Sequence, residues 1–315
     1  MHKRLILFLG LMICILCSSW GFFAHRLINE TAVFTLPTEL AGFFKLHIKT
    51  ITERAIDPDK RRYIDSAESV RHYIDLDQYS EIPDSIPIHW SKAKEKYQER
   101  VMNARGIVPW QIDRSYRKLV AAFSEKDFSG IIRHAADLGH YIADAHVPLH
   151  TTANYNGQFT DQIGIHAFWE TRLPEMFSDE YDLLVGKANY IADPLETAWD
   201  IVKYSHELVD SVLSVEKELA QTVPANLQRS YLMRNNVLGL HYSDHYARSY
   251  HTALNGMVER RLRSSIHLVG SYWYSAWVDA GQPVLQNLST RIPAAPQDTL
   301  PFSPSSKSLG RQEWH

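Results

Sequence analysis

A chain of 315 residues with 45% hydrophobic and 22% charged side chains has the make-up of an ordinary globular protein, long enough to bury a large core. Its formal net charge of −3 excludes a polycationic binder of long duplex nucleic acid, while leaving room for an enzyme that handles one nucleotide at a time. Residues 1–19 read as a secretory signal: Lys3 and Arg4, an apolar run from Leu5 to Leu16 too short to cross a bilayer, then the small residues Cys17, Ser18 and Ser19. Cleavage is expected before Trp20, with a periplasmic or extracellular destination. The two cysteines, Cys14 and Cys17, lie in that signal, so the mature chain is expected to have no disulfide. Cross-linking then falls to packing or to metals held by His, Asp, Glu and backbone groups.

Residues 20–291 read as one all-α domain, with helical periodicity and few alternating runs. Helices are expected at 40–55, 87–105, 112–123, 129–145, 195–222, 227–254 and 256–280, with a polar turn at 124–127. Residues 292–315 are rich in Pro and Ser and read as a disordered tail.

Histidines and carboxylates are dense in the first half of that domain. The expected mature terminus is Trp20-Gly-Phe-Phe-Ala-His25. An α-amine titrates near neutrality and becomes a neutral ligand when buried against a cation; His25 would close a chelate on the same ion. Asp57 opens an Asp-Pro-Asp turn, and His72 stands in Arg-His-Tyr-Ile-Asp; alone, these read as a turn-former and a core histidine. Asp59, Asp75 and Asp77 read as capping or solvated carboxylates. His140 and Asp144 share one helix face a turn apart, either as two ligands of one ion or as a surface hydrogen bond. Pro148 should break the helix, leaving His150 free to turn back toward the same point. His166 and Glu170 repeat the His-x3-acid spacing. His134 and His146 fall off the ligand face. His241, His245 and His251 read as a polar helix face, and Phe22, Phe23, Tyr155 and Phe159 as core or cleft aromatics.

Taken in order, W-x4-H, A-x-D, R-H-Y-x-D, H-Y-x-x-D-x-x-x-P-L-H and H-x3-E resemble the zinc-dependent phospholipase C and S1/P1 nuclease superfamily, from Trp20 to about Glu170. The resemblance implies an all-α, multi-helix domain with a trinuclear zinc cleft. Asp57, His72, His140 and Asp144 would hold a first zinc ion. His150, His166 and Glu170 would hold a second, and the amine and carbonyl of Trp20 with His25 and Asp144 a third. Asp57 is also the candidate proton acceptor from the attacking water. The compact 150–166 loop lacks the Asp-x-Gly-Gly-Asn insert of the nucleases, and Glu170 and the missing cysteines are phospholipase-like; the Trp20–His25 spacing is nuclease-like.

The expected function is that of an exported zinc-dependent hydrolase of phosphate esters, a phospholipase C-like phosphodiesterase. Its substrate would be a phospholipid, with transient contact to a membrane surface, and no stable protein partner is expected. The alternatives are an S1/P1-type nuclease or nucleotidase on single strands, and a non-catalytic binding protein that uses zinc in place of disulfides.

Overall fold

The computed structural model describes residues 22–234 and 237–285. The expected signal segment, Trp20 and the tail lie outside the described residues. Helices account for 69% of the structure, against one two-stranded sheet, so the chain is mostly helical, as the periodicity implies.

The principal elements are α1 (Phe22–Ala32), α2 (Thr38–Leu46), α3 (Ile48–Arg54), α4 (Val108–Ser124), α5 (Phe128–Ala145), α6 (Pro194–Glu207), α7 (Val209–Thr222), the hairpin β1 (Arg229–Arg234) and β2 (Val237–Tyr242), α8 (Asp244–Ala253) and α9 (Met257–Asp279). α4 and α5 form an antiparallel pair, reversed at Glu125–Asp127 with Lys126 at φ 55°. Both pack against α9, whose apolar side chains recur at Leu262, Ile266, Val269, Trp273 and Ala276. α1 lies across α3, α5 and α9. A second contact joins α4 to α6, where Trp110 meets Trp199 edge to face at 5.0 Å and both indoles donate to the Ile88 carbonyl.

Four expected helices differ in the structure. The 40–55 helix breaks at His47, the 87–105 helix at Gln98 and the 195–222 helix at Leu208. Gln98 takes φ 62°, a left-handed conformation no α-helix accommodates, so Trp90–Tyr97 and Glu99–Arg105 run as separate short helices. The 227–254 helix is instead the hairpin followed by α8. Arg229–Arg234 and Val237–Tyr242 alternate in the period of a strand and pair antiparallel.

Aromatic side chains also pack where α9 meets α2 and α5. Trp273 is fully buried, stacks on Phe44 at 5.0 Å and donates its indole N–H to the Ala135 carbonyl at 2.9 Å. Ala135 is one turn ahead of Gly139 on the helix that carries the candidate site. Trp273→Ala is expected to cost about 3–5 kcal/mol through lost burial and the cavity left behind, measurable by urea unfolding of the full chain.

Candidate metal centre

α5 supplies the first two donors. His140 and Asp144 lie one turn apart and Nε2 stands 3.2 Å from Oδ2. The helix ends at Ala145, and Pro148 opens a 3-10 turn (Pro148–Thr151) that carries His150 back toward the helix. His150 Nδ1–H donates to the His72 carbonyl at 2.7 Å, while Ile74 N–H donates to the His150 carbonyl at 2.9 Å. The two histidine segments therefore fix each other. On its far side the His72 segment is tied to residues 105–108 by Asp75 N–H to Arg105 O, Ile107 N–H to Val70 O and Val108 N–H to Tyr73 O. That close passage requires Gly106, at φ 81°, because a Cβ there would sit 2.2 Å from the Tyr73 oxygen.

α1 brings His25 in. Its ring stacks on His140 at 4.0 Å, and its Nε2 lies 3.4 Å from Asp144 Oδ1 and 3.5 Å from Glu170 Oε1. This approach depends on Gly139. A Cβ there would fall 2.0 Å from the Asn29 side-chain oxygen, one turn beyond His25 on α1, and Asn29 donates across the same contact to the Ala136 carbonyl at 3.1 Å.

His166 and Glu170 follow on one short element. Ile165–Ala167 forms a single α turn that passes into a π-helical turn at Phe168–Arg172. Such widened turns recur at functional sites. Here His166 Nε2 lies 2.8 Å from Glu170 Oε2 and 3.0 Å from His150 Nε2, and His150 Nε2 is 3.4 Å from the same oxygen.

Three buried donor groups result, each able to hold a metal ion: His25, His140 and Asp144; Asp59, His72 and His140; His150, His166 and Glu170. His140 Nδ1–H donates to the Ala55 carbonyl at 2.8 Å, which leaves Nε2 to face Asp144 and His72. His150 is oriented the same way by the His72 carbonyl. Backbone bonds thus fix the outer nitrogen of both rings and turn each inner one toward its own donor group, the usual arrangement of histidine ligands.

The buried carboxylates demand compensating positive charge. In the metal-free chain burial would lower His140, but Asp144 and Asp59 outweigh it and raise it to about 9. Burial would likewise raise Asp144 and Glu170, yet the surrounding histidines hold both well below the ordinary carboxylate range. Protons and a metal cation are therefore alternative occupants of one set of donors.

The sequence reading and the structure part at the Asp-Pro-Asp turn. Asp57 does not join a donor group: its carboxylate faces Lys60 at 3.5 Å and its side chain is 33% exposed. Asp59 takes that place, 11% exposed and 3.7 Å from both His72 Nδ1 and His140 Nε2. Residues two apart on the helix Asp57–Arg61 face opposite ways, so only one of the pair can look inward. In the structure Asp57 pairs three residues on with Lys60, a solvent-facing side chain, and Asp59 with the largely buried Arg62, at 3.5 Å.

A second omission is Glu68. It is fully buried, Oε1 lies 3.7 Å from His72 Nε2, and it binds Arg71 and the Tyr141 hydroxyl. Arg61 reaches it at 3.4 Å and grips Asp137 with two bonds of 3.0 and 3.1 Å. Although burial opposes it, the charge at His72 and Arg61 holds Glu68 far below its usual range. Its spacing to His72 is also four residues, so the cue was visible in the sequence. Asp77 accepts from Thr152 Oγ1–H at 2.8 Å and from Ala153 N–H at 3.1 Å, anchoring the loop after His150.

His146 turns away, Nδ1–H to the Ile142 carbonyl at 2.7 Å and Nε2 to Ser264 Oγ at 3.2 Å; burial and then Arg261 hold it well below the usual histidine value. His241 lies on β2 and His245 and His251 on α8, so the three do not share one helix face. His251 Nε2 instead meets the Tyr181 hydroxyl at 2.8 Å. Among the described residues, none of these four joins a donor group. Tyr155 sits edge-on to His166 at 6.0 Å, Phe23 and Phe159 are exposed, and Arg26 lies over the Phe22 ring at 5.8 Å. The chain matches no protein-family model and no curated protein.

Two outcomes are expected. Gly139→Ala should push α1 off α5, costing about 1–3 kcal/mol and lowering bound metal at the His25 group, read by urea unfolding and elemental analysis of the same sample. The second concerns pH. The folded value of His140, about 9, lies above its unfolded 6.5, so the charged ring stabilises the metal-free fold fully below pH 6.5 and that contribution is lost as pH rises through 9. Metal binding gains over the same window as protons leave the ligands. The melting-temperature gap between metal-loaded and chelated protein should therefore widen from pH 6.5 to 9; a constant gap would contradict competition at these donors.

Proposed function

We propose that this chain is an exported zinc-dependent hydrolase of phosphate esters, a phosphodiesterase of the phospholipase C type. The observation that carries the reading is the sharing of donors between groups. His140 belongs to two groups, and His25 lies within 3.5 Å of both Asp144 and Glu170, so the three groups adjoin. A purely structural ion takes a closed set of its own ligands; adjoining sets joined by carboxylates are the pattern of sites that clamp a phosphate. Imidazole and carboxylate donors without sulfur suit zinc.

When bound, the ions would supply positive charge for the phosphoryl oxygens and bring the pKa of a coordinated water near 7. Three carboxylates, Asp59, Asp144 and Glu170, face the groups, which leaves a charge surplus suited to an anionic diester. The chain's own contribution is orientation. Ala55 and His72 carbonyls fix the rings of His140 and His150, and Glu68 backs His72. Asp59, buried between His72 and His140, is placed to accept a proton from a water in that gap. It takes the role that the sequence reading gives to Asp57.

The test is elemental analysis of the purified protein with a substrate panel: phosphatidylcholine, single-stranded DNA and a soluble aryl phosphodiester. The expected result is zinc, with chelator-sensitive diacylglycerol release. Asp59→Asn should lower turnover by roughly 10²–10⁴-fold, and Asp57→Asn should leave it within a few fold. Turnover surviving complete metal removal would sink the reading. Nucleotide release alone would select the nuclease alternative, and bound zinc without turnover the non-catalytic one.

A further inference from the structure

The β1–β2 hairpin is built with its apolar side outward. Cross-strand partners point to the same face, and Tyr231 opposes Leu240 while Met233 opposes Leu238. These four side chains are 55–72% exposed. At the root the same face turns inward: Tyr242, two residues past Leu240, is buried and stacks on Phe168 at 3.9 Å. Phe168 belongs to the π turn that carries Glu170. The hairpin is thus anchored on the element that supplies two candidate ligands, and its outer half projects four large apolar side chains into solvent.

A neighbouring loop continues the surface. Arg229 donates to the Ile163 carbonyl at 3.3 Å while its guanidinium lies over the Tyr242 ring at 3.7 Å. Ile163 and Phe159, in the loop between His150 and His166, are 56% and 71% exposed. Arg229 thus ties the loop that carries these two exposed apolar side chains to the root of the hairpin. From Leu219 to Ser243 the sequence holds Arg229 and Arg234 and neither Asp nor Glu, so the hairpin is net positive; the neighbouring loop carries one exposed acid, Asp161, between Phe159 and Ile163.

We propose that this hairpin, with Phe159 and Ile163, is a docking surface for a lipid bilayer that carries anionic headgroups. Apolar side chains would enter the interfacial layer while the net positive charge of the hairpin attracts anionic headgroups. A second copy of the chain fits less well. Two six-residue strands make a ribbon of roughly 20 Å by 10 Å, well short of the roughly 800 Å² per partner that a stable dimer buries. In naming phospholipid as the source of the diester, the proposal rests on the phosphodiesterase reading; the docking itself does not.

The experiment uses the metal-loaded full chain and two exposed-face variants, Tyr231→Ser with Leu240→Ser, and Met233→Ser with Leu238→Ser. Co-sedimentation is measured with vesicles of phosphatidylcholine, with and without one-fifth phosphatidylglycerol, alongside hydrolysis of a soluble aryl phosphodiester and light scattering. The expected result is binding to the anionic vesicles that weakens with salt, falls at least tenfold in both variants, and leaves soluble turnover unchanged. Wild-type protein that fails to sediment, or variants that bind as it does, overturn the proposal. So does a dimer that the variants dissociate in the absence of vesicle binding. Vesicle binding lost in the variants, with no hydrolysis of any diester by wild type, would uphold the surface and defeat the phosphodiesterase reading.

Discussion

Asp144 is a buried carboxylate whose two oxygens face different partners. Oδ2 lies 2.9 Å from His72 Nδ1 and 3.2 Å from His140 Nε2, and Oδ1 lies 3.4 Å from His25 Nε2. An uncompensated carboxylate at that depth would cost several kcal/mol, so positive charge must be delivered to both of its sides. Much of the surrounding architecture follows from that requirement. α5 must run unbroken through His140, stop before Pro148 and leave room at Gly139 for α1. The extended chain at His72 must be held between residues 105–108 and the turn at His150. The apolar faces of α4 and α9 hold α5 rigid from behind, and Trp273 fixes it one turn from the closest approach.

Behind His72 the charge alternates outward. Asp144 faces the imidazole on one side and Glu68 on the other; Glu68 meets Arg61 and Arg71; Arg61 meets Asp137. Each buried charge has an opposite neighbour, which is the condition under which such groups are tolerated. The consequence for the centre is directional. Glu68 attracts the Nε2 side of His72 and so leaves Nδ1 as the donor that faces Asp144 and His140. A carboxylate behind a ligand histidine fixes ring orientation and raises its basicity. Glu68 is therefore as much a part of the centre as the groups that face it.

What the sequence disclosed was local. His140 and Asp144, and His166 and Glu170, are each joined by a spacing of four, and helix geometry converts that spacing directly into proximity. Pro148 marked the return of His150 because proline's effect on the preceding helix is also local. The choice between Asp57 and Asp59 was not local: both fit a turn, and which one faces inward depends on how Asp57–Arg61 sits against α5. The helix breaks at His47 and Leu208 were hidden for a related reason, since neither is a Gly or Pro and the apolar pattern runs on through both. At 227–254 the short apolar runs satisfied either period. The strand alternation of Arg229–Tyr242 was present but was merged with the genuine helix of α8.

The donors come from α1, the turn at Asp59, the His72 segment, α5 with its return turn, and the short element that carries His166 and Glu170, so each group joins at least two separate segments. An ion that binds this arrangement and not the unfolded chain stabilises the fold by mass action, and it does so across α1, α5 and the π turn together. Such coupling would perform the service that disulfides perform in other proteins, in a chain whose only cysteines are Cys14 and Cys17 and whose donor groups draw on many separate segments. Folding and the proposed catalysis then make the same demand. The charge that the carboxylates require for burial is the charge that a phosphodiester requires for attack, so the proposed activity needs no feature beyond those that hold the fold together, apart from an opening through which the ester can reach them.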